Sequence, residues 1–341
     1  MTLYYIFPIY LFIKNIFFIN FRMLLFIEIL FLTIFVGLRH EIGGDWESYE
    51  HLFKHYSNYD IFEFIKINSI TNDFGYFFLG NLVSNFGLSI HYSNLVCSFL
   101  CILAIYSYSS CFKKRDLVIF ILYSYTVIVI FMGYTRQATA VSIMIIAFTY
   151  SDKRLFSYLS GFLALLFHKT VIILYPLYIH KKISFFIFSF IFILYMYTFY
   201  NNIQLMFVNY ILTNKASGGY YIRIIMILPP TVLLFCYRKN IESIFEGDTF
   251  WSKNIYKISI ISLPMILIIG LLSTTVADRF LIIYLMLSCP FWSYPFLSNS
   301  YSIRMLSYII IPAVPIFTMT AWLLYANTAS SWMPYNSLLF Q

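Results

Sequence analysis

The sequence predicts an all-α, polytopic membrane protein, and three observations support this prediction. Hydrophobic residues make up 61% of the chain, and the mean hydropathy is +0.80. The apolar residues form runs of the kind that membrane-crossing helices need, separated by short polar turns. Four of these turns are basic, as expected of cytoplasmic loops: 113–115, 153–154, 181–182 and 238–239. Because apolar runs fill the chain so densely, we expect one integral membrane domain over residues 1–341.

The predicted crossings follow one another along the whole chain. They are 3–20, 22–38, 91–110, 117–133, 137–150, 155–167, 169–180, 183–200, 222–237, 257–272, 279–297 and 305–325. Twelve is an even number, so both chain ends lie on one side, and the basic turns make that side external. A further crossing at 75–90 would move residues 113–115 outside. We therefore interpret residues 75–90 as a re-entrant or in-plane helix.

Several crossings are shorter than the roughly 20 residues that a perpendicular helix needs, notably 155–167 and 169–180. These two meet at His168. Such a pair predicts a broken structure that lines a water-filled cavity, because irregular backbone at membrane depth is tolerated only there. The larger external segments are 39–74 and 201–221.

The formal net charge of +8 follows mainly from the cytoplasmic turns. Charges confined to short membrane turns offer no continuous groove for a nucleic-acid backbone, which argues against nucleic-acid binding. Lys14 and Glu28 lie within crossings, and we interpret them as a mutual pair. Cys97 and Cys101 are four residues apart without a nearby His or carboxylate, which favours buried packing residues over metal ligands.

Four arginines break the topology pattern. Arg39, Arg136, Arg223 and Arg279 fall at or near the ends of crossings, on the face opposite the basic turns. Cations at that boundary need a specific partner, and the obvious one is an anion. The sequence therefore predicts an anion site at the external face.

Arg39 opens an acidic loop at that face. Seven of the chain's fourteen Asp and Glu residues lie in it: Glu41, Asp45, Glu47, Glu50, Asp60, Glu63 and Asp73. Adjacent Gly43 and Gly44 allow a sharp turn just outside the helix end, so that Arg39 and Asp45 are both expected to face back over the cavity mouth. A carboxylate beside a cation suits proton abstraction or the binding of sugar hydroxyls. Asp45 is our first candidate for a catalytic base, with Glu41 and His168 as alternatives; Glu47, Glu50, Asp60 and Glu63 are expected to be solvated.

The other arginines begin or follow helices. Arg136 is predicted at a helix N-terminus, where free N–H groups and the helix dipole favour anions. His168, followed by Lys169, suits phosphate binding or acid–base chemistry, or else simple packing. Asp278 is expected to cap a helix while Arg279 projects toward the bundle.

Asp-x-Asp and Cys-x-x-Cys spacings do not occur at the external face, and a His-x-x-x-His spacing occurs there once, at His51 and His55. Four guanidinium groups are able to neutralise a diphosphate directly, without a metal. We therefore predict metal-independent chemistry and no cofactor.

These residues resemble the EpsG family of membrane polysaccharide polymerases, which belongs with the Wzy-type O-antigen polymerases. The resemblance runs in order from about residue 36 to residue 336. Its features are Gly37-Leu38-Arg39, Gly43/Gly44-Asp45, Tyr49, Arg136-Gln137 with Ala140, Phe167-His168, Arg279 with Tyr284, and Pro334-Tyr335. Each feature is short, but the ordered set is specific. On this basis Tyr49 and Gln137 join Arg39, Arg136, Arg223 and Arg279 as candidate diphosphate-binding residues.

The resemblance implies a polymerase of the bacterial inner membrane that acts on the periplasmic side and looks like a metal-independent relative of the C-type glycosyltransferases. Such an enzyme transfers a growing glycan from undecaprenyl diphosphate to a new lipid-linked repeat unit, building O-antigen of lipopolysaccharide or a related surface polysaccharide. Membrane lipid and the lipid-linked donor and acceptor are the implied partners, together with a co-polymerase that sets chain length.

Other functions remain open from the sequence. A flippase or transporter for lipid-linked oligosaccharide also needs cations in a cavity, although it should spread them over both leaflets. An O-antigen ligase shares the donor chemistry and differs only in its acceptor. A membrane O-acetyltransferase is a further alternative.

Overall fold

The described part of the chain is helical. The computed structural model describes residues 3–16, 22–67, 73–178, 217–236, 242–297 and 300–340. Within these ranges, extended pairing is limited to the isolated bridges Arg39–Ser337 and Phe112–Phe245. The α-helices described are α1 (Leu3–Ile16), α2 (Arg22–Gly37), α3 (Trp46–Tyr56), α4 (Ile61–Ile67), α5 (Phe74–Asn85), α6 (Ile90–Ser109), α7 (Arg115–Leu122), α8 (Thr135–Thr149), α9 (Arg154–Phe167), α10 (Tyr220–Cys236), α11 (Phe250–Leu272), α12 (Thr274–Ser288) and α13 (Tyr301–Tyr325). The all-α prediction is confirmed for the described ranges.

Several helices are suited to a membrane. Three helical stretches are long and apolar enough to cross one: Ile90–Ser109, Phe250–Leu272 and Thr274–Phe296. Four shorter apolar helices accompany them: Met23–Gly37, Arg154–Phe167, Tyr220–Cys236 and Ala313–Tyr325. The number of twelve crossings stays a prediction. The predicted crossing 183–200, the basic turns 181–182 and 238–239, and most of the external segment 201–221 lie outside the described residues.

The predicted break at His168 is confirmed. α9 ends at Phe167, His168 has an extended backbone, and a 3₁₀ helix follows over Lys169–Tyr178. A change of helix type at this point leaves backbone groups that side chains must satisfy. The break therefore lets His168 and its neighbours turn away from regular helix packing.

Residues 74–85 form the short helix α5. At 1.5 Å per residue its 12 residues extend about 18 Å, less than the roughly 30 Å of a bilayer core. Its length is compatible with the predicted re-entrant or in-plane helix, whose position relative to the bilayer stays a prediction. α5 packs against α3, α4, α6 and α9.

The core is built around α6, α8 and a π-helical segment. Tyr123–Phe131 continues α7 as a π-helix, and every residue in it is buried. α8 is buried on nearly all of its surface and packs between α6 and α9. A helix that is buried on nearly every side lies in the centre of the bundle, so α8 provides a rigid base for the residues of its first turn.

The two ends of the bundle differ. At one end the turn after α6 pairs with the loop before α11, through Lys113 N to Ile244 O at 3.0 Å and Glu246 N to Cys111 O at 2.8 Å. Trp251 Nε1 donates to Thr149 Oγ1 at the same end. The basic turns 113–115 and 153–154 are thus collected at one end, whereas α8 begins at the other.

A buried charged network lies near the basic end. Lys14 Nζ donates to Glu28 Oε1 at 2.8 Å and to Asp116 Oδ1 at 3.2 Å. The hydroxyls of Tyr10 and Tyr106 also donate to Glu28, at 2.7 and 3.0 Å. The predicted pair between Lys14 and Glu28 is confirmed, and the hydrogen bonds satisfy the buried carboxylate.

Candidate active site

The first turn of α8, residues 134–137, connects the candidate site. Tyr134 and Thr135 accept hydrogen bonds from Arg223 and Arg39, at 3.1 and 2.7 Å. Gln137 Nε2 donates to the backbone carbonyl of Arg279 at 2.6 Å. With Arg136 in the same turn, all four predicted arginines are brought together there.

Beside this turn lies a cavity of about 320 Å³. It is lined by Asp45, Tyr49, Asp73, Tyr134, Arg136, Gln137, His168, Thr170, Thr275, Val276, Arg279 and Phe280. These residues come from the acidic loop, α3, α8, the break after α9, and α12. Six of the predicted site residues line it: Asp45, Tyr49, Arg136, Gln137, His168 and Arg279.

Arg136 is held at the cavity wall by a carboxylate and two rings. Its Nη1 donates to Asp73 Oδ2 at 2.9 Å. The guanidinium carbon lies 5.2 Å from the ring centroid of Tyr49 and 5.5 Å from that of Phe77. Cation–π contacts and the ion pair fix the plane of the guanidinium. Its Nε is buried without a hydrogen-bond partner among the described residues.

Arg279 presents a cation that has no carboxylate partner in the described part of the chain. Its guanidinium carbon lies 5.1 Å from the ring centroid of Tyr134. The side-chain amide of Gln137 donates a hydrogen bond to the backbone carbonyl of Arg279. The neighbouring Asp278 is engaged with Arg223 and not with Arg279. The side chain of Arg279 is therefore positioned by neutral groups, and its charge remains available to an anion in the cavity.

Asp45 presents the opposite charge to the same cavity. It lies just before α3 and makes no side-chain capping bond. Within the described ranges its carboxylate forms no ion pair or hydrogen bond. The turn that places it needs Gly43, whose φ is +112° and where a methyl group would collide with the carbonyl oxygen of Met132. The predicted glycine turn is confirmed at Gly43.

His168 closes another side of the cavity. Its Nδ1 accepts the backbone N–H of Thr170 at 3.2 Å and lies 2.9 Å from the Thr170 hydroxyl. Burial lowers the pKa of His168 from 6.5 to about 4, and the cations Arg136, Arg279 and Lys169 act in the same direction, against Asp73. The imidazole is therefore neutral at physiological pH.

Arg39 does not face the cavity mouth as expected, and it is not among the residues that line the cavity. Only 1% of its surface is exposed, and its guanidinium donates to the carbonyl oxygens of Val36 and Ile42 and to Thr135 Oγ1. The loop folds over it, so these contacts tie the acidic loop to the first turn of α8. In this arrangement Arg39 supports the cavity from behind.

Arg223 is also buried behind the cavity. It forms an ion pair with Asp278 and donates to the hydroxyls of Tyr125 and Tyr134, at 3.2 and 3.1 Å. Asp278 does not cap α12 as expected, because the helix begins earlier and Ser273 is its N-cap. The carboxylate of Asp278 instead balances the buried charge of Arg223 and accepts a hydrogen bond from Ser217 at 2.8 Å.

Glu41 lies outside the cavity. Its side chain is 70% exposed, and its Oε1 lies 3.7 Å from Nε2 of His40. The solvated carboxylates expected at Glu47, Glu50, Asp60 and Glu63 are exposed or at the surface. Geometry thus leaves Asp45 and Asp73 as the carboxylates that line the cavity.

Sequence reasoning did not single out Asp73, Tyr134 or Thr170. Asp73 was counted among the acidic residues of the external loop without an assigned role, although it is the residue just before α5. Tyr134 directly precedes the predicted Arg136, and Thr170 is two residues after His168. Proximity in sequence to a predicted site residue was the only signal for these two.

Among the described residues, no group of three His, Cys, Asp or Glu side chains is close enough to hold one metal ion. Metal independence itself stays a prediction. The cavity offers two guanidiniums, two carboxylates, a neutral imidazole and aromatic rings. This combination suits a ligand that carries both an anionic group and hydroxyls.

The fold and the cavity together define a multi-pass helical membrane protein with a charged site at one end of its bundle. The chain belongs to the EpsG family, whose sequence model matches residues 22–337, nearly the whole chain. EpsG is a family of Wzy-like polysaccharide polymerases. No curated protein and no solved structure matches this chain. The predicted family is confirmed.

Proposed function

We propose that this protein polymerises undecaprenyl-diphosphate-linked oligosaccharide repeat units by glycosyl transfer at the periplasmic face of a bacterial inner membrane. The product is O-antigen of lipopolysaccharide or a related surface polysaccharide. Membership in the EpsG family supports a polysaccharide polymerase. The proposed substrate and the proposed glycosyl transfer are argued from the residues that line the cavity.

One observation carries the proposal: Arg279 and Asp45 both line the same cavity, and neither charge is neutralised by a partner in the described ranges. Charged side chains that served only the stability of the fold would be expected to have counter-ions within the protein. A glycosyl diphosphate supplies an anion that the cation of Arg279 can bind. The acceptor sugar supplies a hydroxyl whose proton the carboxylate of Asp45 can take.

The proposed reaction proceeds in one displacement on the donor. The bond between the anomeric carbon and the diphosphate oxygen breaks, and its electron pair stays on that oxygen. The acceptor hydroxyl oxygen forms the new bond to the anomeric carbon, and its proton passes to the carboxylate of Asp45. Negative charge that develops on the leaving diphosphate is stabilised by Arg279 and Arg136, and no metal ion enters this scheme.

Arg136 needs one rearrangement in this scheme. In the structure its Nη1 is bound to Asp73, and its buried Nε has no partner among the described residues. Two oxygens of a diphosphate offer Arg136 the bidentate contact that Asp73, bound through Oδ2 alone, does not provide. The aromatic rings of Tyr49 and Tyr134, which lie beneath the two guanidiniums, keep both planes facing the cavity.

A reconstituted assay tests the proposal. The purified protein in lipid nanodiscs is mixed with lipid-linked repeat unit, extracted from cells of the source strain that lack this gene. A ladder of lengthening glycans on gel electrophoresis is the expected result. A ligase would need a lipid-core acceptor and give a single transfer, and a flippase in liposomes would move the substrate without changing any linkage; either result would contradict the proposal.

A further inference from the structure

His168 is held in one tautomer by its own chain. The backbone N–H of Thr170 points at Nδ1, with 3.2 Å between the nitrogens. A backbone N–H is always a donor, so Nδ1 must accept and carries no proton in the neutral ring. The single proton of the neutral imidazole is therefore on Nε2. The hydroxyl of Thr170, 2.9 Å from Nδ1, fits the same assignment as a second donor.

The protonated nitrogen is the one left for the cavity. Nε2 has no hydrogen-bond partner among the described residues, and the protein does not fully enclose it. His168 lines the cavity together with Arg136 and Arg279. Three groups that only donate hydrogen bonds therefore face one volume, and their common acceptor should be an anionic oxygen.

We propose that the neutral imidazole of His168 donates a hydrogen bond through Nε2 to an oxygen of the substrate diphosphate, and does not act as the catalytic base. This inference rests on the proposed function and assigns His168 to the leaving group. His168 keeps its proton throughout the reaction, so the proton of the acceptor hydroxyl still passes to Asp45. The neutral donor adds a hydrogen bond without adding a third positive charge beside two guanidiniums.

The environment of the ring is consistent with this role. The charged groups that face His168 are Asp73, Arg136, Arg279 and Lys169. Three of them are cations, and together with burial they lower the pKa of His168 to about 4. The ring therefore stays a neutral donor from about pH 5 upward.

Nitrogen-15 NMR of histidine-labelled protein in nanodiscs tests the tautomer without any substrate. The His168 signals are assigned as those missing in His168→Gln. We expect a protonated nitrogen at Nε2, a bare nitrogen at Nδ1, and no titration between pH 8 and pH 5. A proton on Nδ1, or titration near pH 6.5, would overturn the proposal.

Three substitutions separate a donor from a base. His168→Gln places an amide N–H near the position of Nε2, His168→Asn places it near Nδ1, and His168→Ala removes it. If His168 is a donor, His168→Gln retains most of the polymerisation rate while the Asn and Ala variants lose about 100- to 1000-fold, the usual cost of one lost donor to a developing oxyanion. His51→Ala, at an exposed site on α3, is the matched control. Equal inactivity of the Gln and Ala variants would overturn the donor role.

A binding measurement keeps this inference separate from the proposed function. Undecaprenyl diphosphate is titrated into each variant, with undecaprenyl monophosphate as the comparison ligand. A lost hydrogen bond to a charged oxygen should weaken diphosphate binding by roughly 10- to 100-fold in His168→Ala and much less in His168→Gln. If the wild-type protein binds the diphosphate but makes no polymer, the polymerase proposal fails and the donor role stands. Unchanged binding in His168→Ala would refute the donor role.

Discussion

The charged residues of the cavity differ in whether they have a counter-ion within the protein. Arg136 has Asp73 as a counter-ion, whereas Arg279 and Asp45 have no ionic partner in the described part of the chain. An unpaired charge in a partly buried site is costly unless a ligand compensates it. Substitution of Arg279 or Asp45 should therefore remove function with the least damage to the fold.

For the arginines, the shape of the group should matter as well as its charge. Arg136→Lys and Arg279→Lys keep a cation but lose the planar two-pronged contact with phosphate. We expect each variant to lose at least about tenfold in polymerisation rate, since one good donor to a developing oxyanion contributes about 100-fold or more. Arg154→Lys, an exposed residue at the opposite end of the bundle, is the control. Wild-type rates for both variants would show that neither arginine is a bidentate diphosphate ligand.

Asp45→Asn tests the proposed base. The amide keeps the size of the side chain but cannot take a proton, so the rate should fall by roughly 100- to 10,000-fold with diphosphate binding retained. The acidic limb of the pH–rate profile should disappear with the carboxylate. Glu47→Gln, two residues after Asp45 in the first turn of α3, should leave both measurements unchanged. If Asp45 merely orders its loop, binding and turnover will weaken together and the acidic limb will remain.

At the scale of elements, helices α8, α10 and α12 are joined behind the cavity by one buried ion pair. Arg223 of α10 contacts Asp278 of α12 and the hydroxyl of Tyr134, which precedes α8. The ring of Tyr134 in turn lies beneath Arg279. Arg223 thus reaches the cavity through Tyr134, and we expect its role to be the positioning of that ring.

Asp278→Asn tests this arrangement. It leaves the buried Arg223 without its counter-ion and should cost about 3–5 kcal/mol of stability. The double variant Arg223→Gln/Asp278→Asn removes both charges and should recover part of the stability and of the polymerisation rate. Thermal unfolding in detergent and the polymerisation assay measure the two effects. A double variant that regains stability but stays inactive would instead favour Arg223 as a direct substrate ligand.

At the scale of the whole molecule, the C-terminal segment 326–340 ties the acidic loop to the bundle. Gly43 N donates to Ser331 O at 2.9 Å, and His40 N donates to Asn336 O at 3.0 Å. The indole of Trp332 donates to Ile128 O and lies beside Gly133, which precedes Tyr134. Trp332 therefore sets the spacing between the loop of Asp45 and the first turn of α8.

Gly133→Ala tests this spacing. A Cβ atom at Gly133 would come 2.8 Å from Cζ2 of Trp332, so the buried indole must move. Because a displacement of about 1 Å in a site can cost about 100-fold, we expect the rate to fall by 10- to 100-fold. In the double variant Gly133→Ala/Trp332→Phe, the smaller ring of phenylalanine should leave room for the new methyl group and restore part of the lost rate. Gly44→Ala, where the Cβ would lie 3.9 Å from the indole, is the control; equal losses for both glycines would contradict a spacing role.

The sequence by itself determined the features that depend on local composition. The apolar runs determined an all-helical membrane protein, the glycine pair before Asp45 determined a turn, and the short apolar runs on either side of His168 determined a break. Each follows from backbone preference or from the energy of apolar burial over a few residues. The ordered motifs sufficed to recognise the EpsG family.

Only the tertiary structure decided which charges face the cavity. Arg39 and Arg223 look like Arg136 and Arg279 in the sequence, yet the first two are buried behind the cavity and the last two line it. In the sequence Asp73 is one of seven acidic residues of the external loop, and in the structure it pairs with Arg136. Asp278 is expected to cap a helix, and in the structure it pairs with Arg223. The physical reason is that an ion pair depends on where separate helices meet: Asp73 and Arg136 are 63 residues apart, and no local pattern encodes that distance.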